Sequence, residues 1–308
     1  MQVPSYYDAS RVGKLFAPDV KRIIEEGNKV NVNPATNDSR KVALILVDAQ
    51  IDFVHTDGAL SVPGAVEDTK RTIDWLYRNV AQVSQIIASL DTHVPDQIFY
   101  PPWWINQKGE HPLAFTAITS DEVKSGIWMP TTEFEWSVEY VKLLEDQGKK
   151  TLIIWPYHTM LGTPGHSITP ALYEAIAYHS AARSVDPIFL SKGSIPKTEH
   201  YSILEPEVKV PSEPLGTLNL QLIELLKGFD LIYVAGQAKS HCVLETITSL
   251  YNYFADANPM FIKQWRFLKD CTSSVVHPEI DFEAIANKRL AEFETMGMKM
   301  VTSLDEID

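Results

Sequence analysis

Residues Lys41–Phe53 read KVALILVDAQIDF. Val42 to Val47 is an unbroken apolar run, the pattern of a strand covered on both faces, and it ends on an acid, Asp48. Strands of this kind belong to parallel sheets with helices on either side. The motif recurs outward from here. Ser84–Leu90 (SQIIASL), Thr151–Trp155 (TLIIW), Pro187–Ser191 (PIFLS) and Leu231–Ala235 (LIYVA) are further apolar runs, with shorter ones at Arg266–Lys269 and Lys299–Thr302. Helical stretches fall between them at 66–83, 133–147 (ending at Gly148), 172–180, 218–226, 242–256 and 279–296. This alternation implies right-handed crossovers and a three-layer α/β/α fold around a central, mainly parallel sheet.

Two regions fall outside the rhythm. Residues 1–40 hold one helical stretch, Ala17–Glu26, and then a polar, Asn-rich run; they read as an N-terminal extension or arm before a main domain at 41–308. Tyr100 to Pro130, rich in Trp and Pro, is too long for an ordinary connection. It reads as an inserted loop, either a substrate cover, a subunit contact or a segment packed on its own side chains.

Composition excludes several classes. The chain has 308 residues, 22% of them charged, with 27 basic against 40 acidic and a net charge of −13. That balance argues against nucleic acid or an anionic membrane as partner. No apolar run has the length of a membrane span, and the N-terminal stretch lacks the shape of a signal peptide. Two cysteines cannot form a disulfide framework and fit a reducing compartment. The expectation is a soluble, cytoplasmic protein, and composition goes no further.

In an open parallel sheet, ligands bind at the carboxyl ends of the strands. Those ends carry Asp48, Asp52 and Phe53; Asp91 and His93; Trp155 and His158; Lys192; and Gln237 to Cys242. Cys242 follows a strand and a short loop at a predicted helix start, where unpaired N–H groups favour a thiolate or a developing oxyanion. Asp48 is placed to be a partly buried base, and Lys192 to pair with it. Asp91 and His93 lie on the same side of an extended chain, and His158 adds a third ligand type. Two histidines and one carboxylate suit a divalent ion, zinc first, with iron or manganese as alternatives. Cys271, in KDCTSSV, has no such setting and reads as structural.

Taken together, VDAQIDF, GALSVPGA, SLDTHVPD, IIWPYH followed by GTPG, FLSKG and VAGQAKSHCV resemble, in order and spacing, the isochorismatase-like cysteine hydrolases, and among them the nicotinamidases. The resemblance runs from about Lys41 to Thr302. It is the pairing of D-x-H with W-P-x-H that points to the metal-bearing nicotinamidase branch, since isochorismatases lack that site. The resemblance implies a catalytic triad of Asp48, Lys192 and Cys242, with metal ligands Asp91, His93 and His158. It implies Phe53 and Trp155 beside the substrate ring, a cis peptide at Gln237–Ala238, and an oxyanion hole from the amides of Ala238 and Cys242. The implied reaction is hydrolysis of a small carboxamide, such as nicotinamide to nicotinate and ammonia, through a cysteine thioester. Another amide or a ureido compound as substrate, or a non-catalytic binding scaffold, are the alternatives. Members of such folds self-associate, so a homo-oligomer is expected. Two positions depart from the pattern. Thr159 stands where many nicotinamidases have Cys, and Phe99 where some have a further histidine, a role open to His111.

Overall fold

The computed structural model describes residues 3–146 and 150–308. The predicted helix end at Gln147–Gly148 lies outside them. Six strands form one sheet: β1 (Val42–Val47), β2 (Gln85–Asp91), β3 (Ile188–Lys192), β4 (Leu231–Gly236), β5 (Trp265–Leu268) and β6 (Lys299–Val301). Their order is β6-β5-β4-β1-β2-β3, and every neighbouring pair is parallel. Leu44 of β1 sits between Ile86 of β2 and Tyr233 of β4. All six residues of β1 are buried, which is why that strand has no polar alternation.

The chain leaves β1 toward β2 and β3, then returns to β4 and proceeds the other way. Right-handed crossovers therefore place the helices of the two halves on opposite faces. On one face, helix Ala65–Arg78 packs on helix Pro170–Arg183, which carries helix Val20–Asn28. On the other, helices Leu244–Phe254 and Phe282–Thr295 pack together. This is the three-layer α/β arrangement expected from the sequence. The reversal between β1 and β4 leaves a crevice at their carboxyl ends. Among the described residues, no helix is long and apolar enough to cross a membrane.

One predicted strand is corrected. Within Thr151–Trp155 only Leu152–Ile153 is extended in a ladder, and it pairs antiparallel with Ala117–Ile118, outside the main sheet. The place beside β2 is taken by β3, whose Lys192 stands opposite Asp91. The apolar run reports burial, with Ile154 and Trp155 both covered, and not membership of the central sheet. The Tyr100–Pro130 segment packs against the body and carries local secondary structure. Trp104–Ile105 pairs with Met129–Pro130, and Thr119 and Glu122 form a capping box for the helical turn Ser120–Lys124. Trp103 and Trp104 point inward, donating to Ser137 Oγ at 2.9 Å and to the Ile98 carbonyl at 2.6 Å.

Residues 33–38 are fastened to the body by Arg183. Its guanidinium, 1% exposed, donates to the carbonyls of Asn33 and Val83 and pairs with Asp38. Asp38→Ala would leave that buried cation without a counter-charge, so a loss of about 3 kcal/mol is expected in urea unfolding. A loss under about 0.5 kcal/mol, the level of a surface substitution, would show that the pair holds nothing.

Candidate active site

Asp48 follows β1 in the left-handed region, with φ of 44°, and is fully buried. Its Oδ1 accepts from Ser89 Oγ at 2.6 Å, and its Oδ2 lies 2.9 Å from Lys192 Nζ. Lys192, the last residue of β3, is 2% exposed. The same Nζ is 2.9 Å from Asp91 Oδ1, 2.8 Å from the His200 carbonyl and 3.6 Å from Cys242 Sγ. One ammonium group thus bridges two carboxylates from β1 and β2 and the thiol that follows β4.

These contacts set the charge states. Burial opposes charge on Lys192, but Asp48 and Asp91 outweigh it and raise its pKa well above the ordinary lysine value. Burial raises the Cys242 thiol well above its usual range, against the pull of Lys192. Burial also raises Asp48, again with Lys192 opposing. Asp91 is different: burial would raise it, yet His93 and Lys192 hold it below the usual carboxylate range. The resting arrangement is a buried thiol beside an ammonium ion and a carboxyl group of raised proton affinity.

The path from β4 to Cys242 explains how the thiol gets there. Gly236 has φ of 120°, and a Cβ on it would lie 2.0 Å from the Val47 carbonyl oxygen, so only glycine lets β4 end so close to β1. The Gln237–Ala238 peptide is cis, and Gln237 N–H donates to the Val47 carbonyl at 2.7 Å. A π-helical turn, Lys239–Val243, follows and leads into helix Leu244–Phe254. The predicted helix start at Cys242 is therefore a wider turn that holds the cysteine ahead of the regular helix. The Ala238 N–H donates to no other group among the described residues.

Asp91, His93 and His158 meet beside this cluster. Their ligand-type atoms lie within 4.8 Å of one another, and all three residues are buried. His93 Nδ1 donates to the Gly193 carbonyl at 3.1 Å and His158 Nδ1 to the Pro156 carbonyl at 2.7 Å. A carbonyl can only accept, so both rings carry a proton on Nδ1 and turn Nε2 toward Asp91. Those Nε2 atoms are 2.9 and 3.9 Å from Asp91 Oδ2, around the roughly 3.5 Å spacing of donors on a tetrahedral zinc ion. Burial, then the neighbouring His93, depresses His158 to about 3, which keeps it neutral. The donor set fits a divalent cation. Gly193, with φ of 82°, allows the close approach: a Cβ there would sit 2.4 Å from Asp91 Oδ1. Phe99 packs its ring on His93 instead of offering a ligand. His111 is exposed, with Nδ1 bonded to the Trp104 carbonyl, and does not join the group.

Phe53 and Trp155 line the same small cavity as Cys242, together with Glu199, Tyr201 and His241. Phe53 meets the His158 ring edge-on at 5.4 Å, and Trp155 Nε1 donates to Tyr201 Oη at 3.2 Å. The cavity holds only about 20 Å³; the large cavities, of about 600 and 530 Å³, lie elsewhere. The charged groups converge on the small one. Asp52 is not part of it. Its carboxylate accepts from the amides of Ala59 and Thr159 and so fixes the turn after His158. Ser89, Glu199, His200, Tyr201 and His241 were not singled out from sequence. Ser89 is the one polar residue inside an apolar strand, a legible signal, and Thr198–Tyr201 is a polar run soon after Lys192. Cys271 is buried away from the cluster, its thiol pushed up to about 12 chiefly by burial.

No protein-family model matches the sequence, and no curated protein sequence matches it. Solved structures do match. A yeast nicotinamidase bound to the inhibitor nicotinaldehyde is 18% identical, with a TM-score of 0.55, over 85% of this chain and 99% of that one. A nicotinamidase/pyrazinamidase from Acinetobacter baumanii is 16% identical, with a TM-score of 0.57, over 87% and 98%. The chain has the isochorismatase-like fold of the nicotinamidases. A further nicotinamidase-fold structure, from L. infantum in complex with nicotinate, is 18% identical, with a TM-score of 0.51, over 89% and 96%. Both the inserted segment and the π turn lie within this nicotinamidase-fold chain without disturbing its six-stranded sheet.

If Asp91, His93 and His158 form a cation site, dialysis against zinc should leave about one ion per chain, and Asp91→Ala should lose it. Equal metal content in the two proteins, measured by elemental analysis, would exclude these ligands.

Proposed function

We propose that the protein is a cysteine amidohydrolase that converts a small primary carboxamide to its carboxylate and ammonia, with nicotinamide as the first substrate to test. The observation that carries this reading is the convergence of Cys242 Sγ and Asp48 Oδ2 on Lys192 Nζ, at 3.6 and 2.9 Å, beside an aromatic slot. A nucleophile, a base and a cation to hold the thiolate are the three parts that amide acylation requires. The nicotinaldehyde and nicotinate complexes of two structures sharing the fold support a pyridine ring as the group between Phe53 and Trp155.

The steps follow from the chain's own residues. Asp48 takes the Cys242 proton as sulfur attacks the amide carbon, and Lys192 stabilises the thiolate. The raised proton affinity of Asp48 suits it to this transfer. The oxyanion is held by the N–H groups of Ala238 and Cys242, aimed by the turn after β4. Asp48 then gives the proton to the departing nitrogen, ammonia leaves, and an acyl thioester remains on Cys242. Asp48 next takes a proton from water as its oxygen attacks the thioester carbonyl; the C–S bond breaks, and the carboxylate is released with the thiol restored. The net reaction is amide plus water to carboxylate and ammonium. A divalent ion on Asp91, His93 and His158 would supply a Lewis acid at the edge of the pocket, able to anchor a ring nitrogen.

Wild-type protein is expected to release ammonia from nicotinamide, Cys242→Ala to release none, and Asp48→Asn to fall by about a thousandfold, each with an unchanged circular dichroism spectrum. Wild-type activity in Cys242→Ala would overturn the mechanism. A folded, zinc-loaded wild type that releases no ammonia would reject nicotinamide as substrate.

A further inference from the structure

The space beside Cys242 and a much larger cleft share one wall. About 20 Å³ is free at the thiol, room for a water molecule and not for an aromatic ring. On the far side of the π turn lies a cleft of about 530 Å³ between helices Leu244–Phe254 and Phe282–Thr295. His241 lines both. For any amide to reach Cys242, a lining group must move. Trp155 and Tyr201 are joined by a hydrogen bond, and Phe53 packs on His158. His241, 3% exposed, meets the rings of Trp155, Tyr201 and Phe282 edge-on at 5.4, 5.1 and 4.7 Å and makes one hydrogen bond, Nδ1 with Ser240 Oγ at 2.8 Å, while its Nε2 has no hydrogen-bond partner. Among the residues that line the small cavity, it alone also lines the larger cleft.

We propose that His241 is a movable partition between the two spaces, and that the substrate is a primary carboxamide whose acyl group is larger than one pyridine ring and runs past His241 into the cleft. This rests on the amidohydrolase reading and names its substrate class. The cleft's chemistry narrows that class further. Ile153, Leu244, Phe282 and Ile285 give it an apolar lining. Its two cations already have carboxylate partners, Lys150 with Glu245 at 3.0 Å and Arg289 with Glu292 at 2.6 Å. An uncharged fused-ring or aryl-extended acyl group therefore fits better than an anionic one, which would find no unmatched charge.

The test compares nicotinamide with quinoline-3-carboxamide, its benzo-fused analogue, in the full-length protein. The larger amide should have the higher kcat/KM in wild type. Filling the cleft with Thr248→Trp should lower the ratio of the two kcat/KM values by about tenfold or more. Ile285→Trp narrows the same cleft from its exposed rim, where a large side chain does not disturb packing, and should act in the same direction. A ratio unchanged by both variants would overturn the proposal. A second readout does not depend on turnover: alkylation of Cys242 by iodoacetamide and by its N-naphthyl derivative, followed by peptide mass spectrometry. The naphthyl reagent should be slowed relative to iodoacetamide by Thr248→Trp and accelerated by His241→Ala. Labelling that ignores both variants would reject the partition even if amides are hydrolysed. Labelling that responds, in a protein that releases no ammonia from either amide, would keep the partition and reject the hydrolase reading.

Discussion

Everything at the carboxyl end of the sheet is arranged around one buried ammonium group. Lys192 Nζ has left water for a site whose neighbours are two carboxylates, a carbonyl and a thiol. Taking a charge out of water is costly, and the cost is offset only where the geometry supplies full pairing. Asp48 and Asp91 provide that pairing from the two adjacent strands, so the lysine stitches together the ends of β1, β2 and β3. Two carboxylates around a single cation leave one of them with raised proton affinity, and this falls on Asp48, the one nearer the chemistry of Cys242. The same arrangement that makes the site tolerable in the folded chain therefore prepares a base beside a thiol.

The strand order makes this convergence possible. Reversal between β1 and β4 opens a crevice there, and the glycine at position 236 lets β4 end against the Val47 carbonyl. The π turn then carries Cys242 across the crevice toward Lys192. The cation site is built into the same frame: Asp91 contributes one oxygen to Lys192 and the other to the histidine pair. A cation held by Asp91, His93 and His158 would thus be coupled to the charge of the lysine cluster through a single carboxylate.

Much of this was legible in the chain. Continuous apolar runs ending in Asp48, Asp91 and Lys192 are what buried parallel strands look like when they deliver charged groups to a crevice. The misreading of Thr151–Trp155 has a physical origin: an apolar run signals burial, and two residues paired with an inserted segment are buried as thoroughly as a central strand. Aromatic density in Tyr100–Pro130 left a cover, a subunit contact and an inward-packed segment open, and Trp103 and Trp104 spend their indole N–H groups on internal acceptors. Glu199 and Tyr201 were not legible as pocket residues, because their place depends on how the loop after β3 folds back over the π turn. No local periodicity encodes that. The partner of each buried polar group is a tertiary fact, even where the residue type announces that a partner is needed.

The central claim is that Cys242 becomes acylated. Acid quenching of the full-length protein during turnover of nicotinamide, followed by mass spectrometry of its peptides, tests this directly. The account predicts a nicotinoyl group on the peptide that contains Cys242 and nowhere else. Ammonia release with no acyl group on that peptide, or with the label on Cys271, would contradict it.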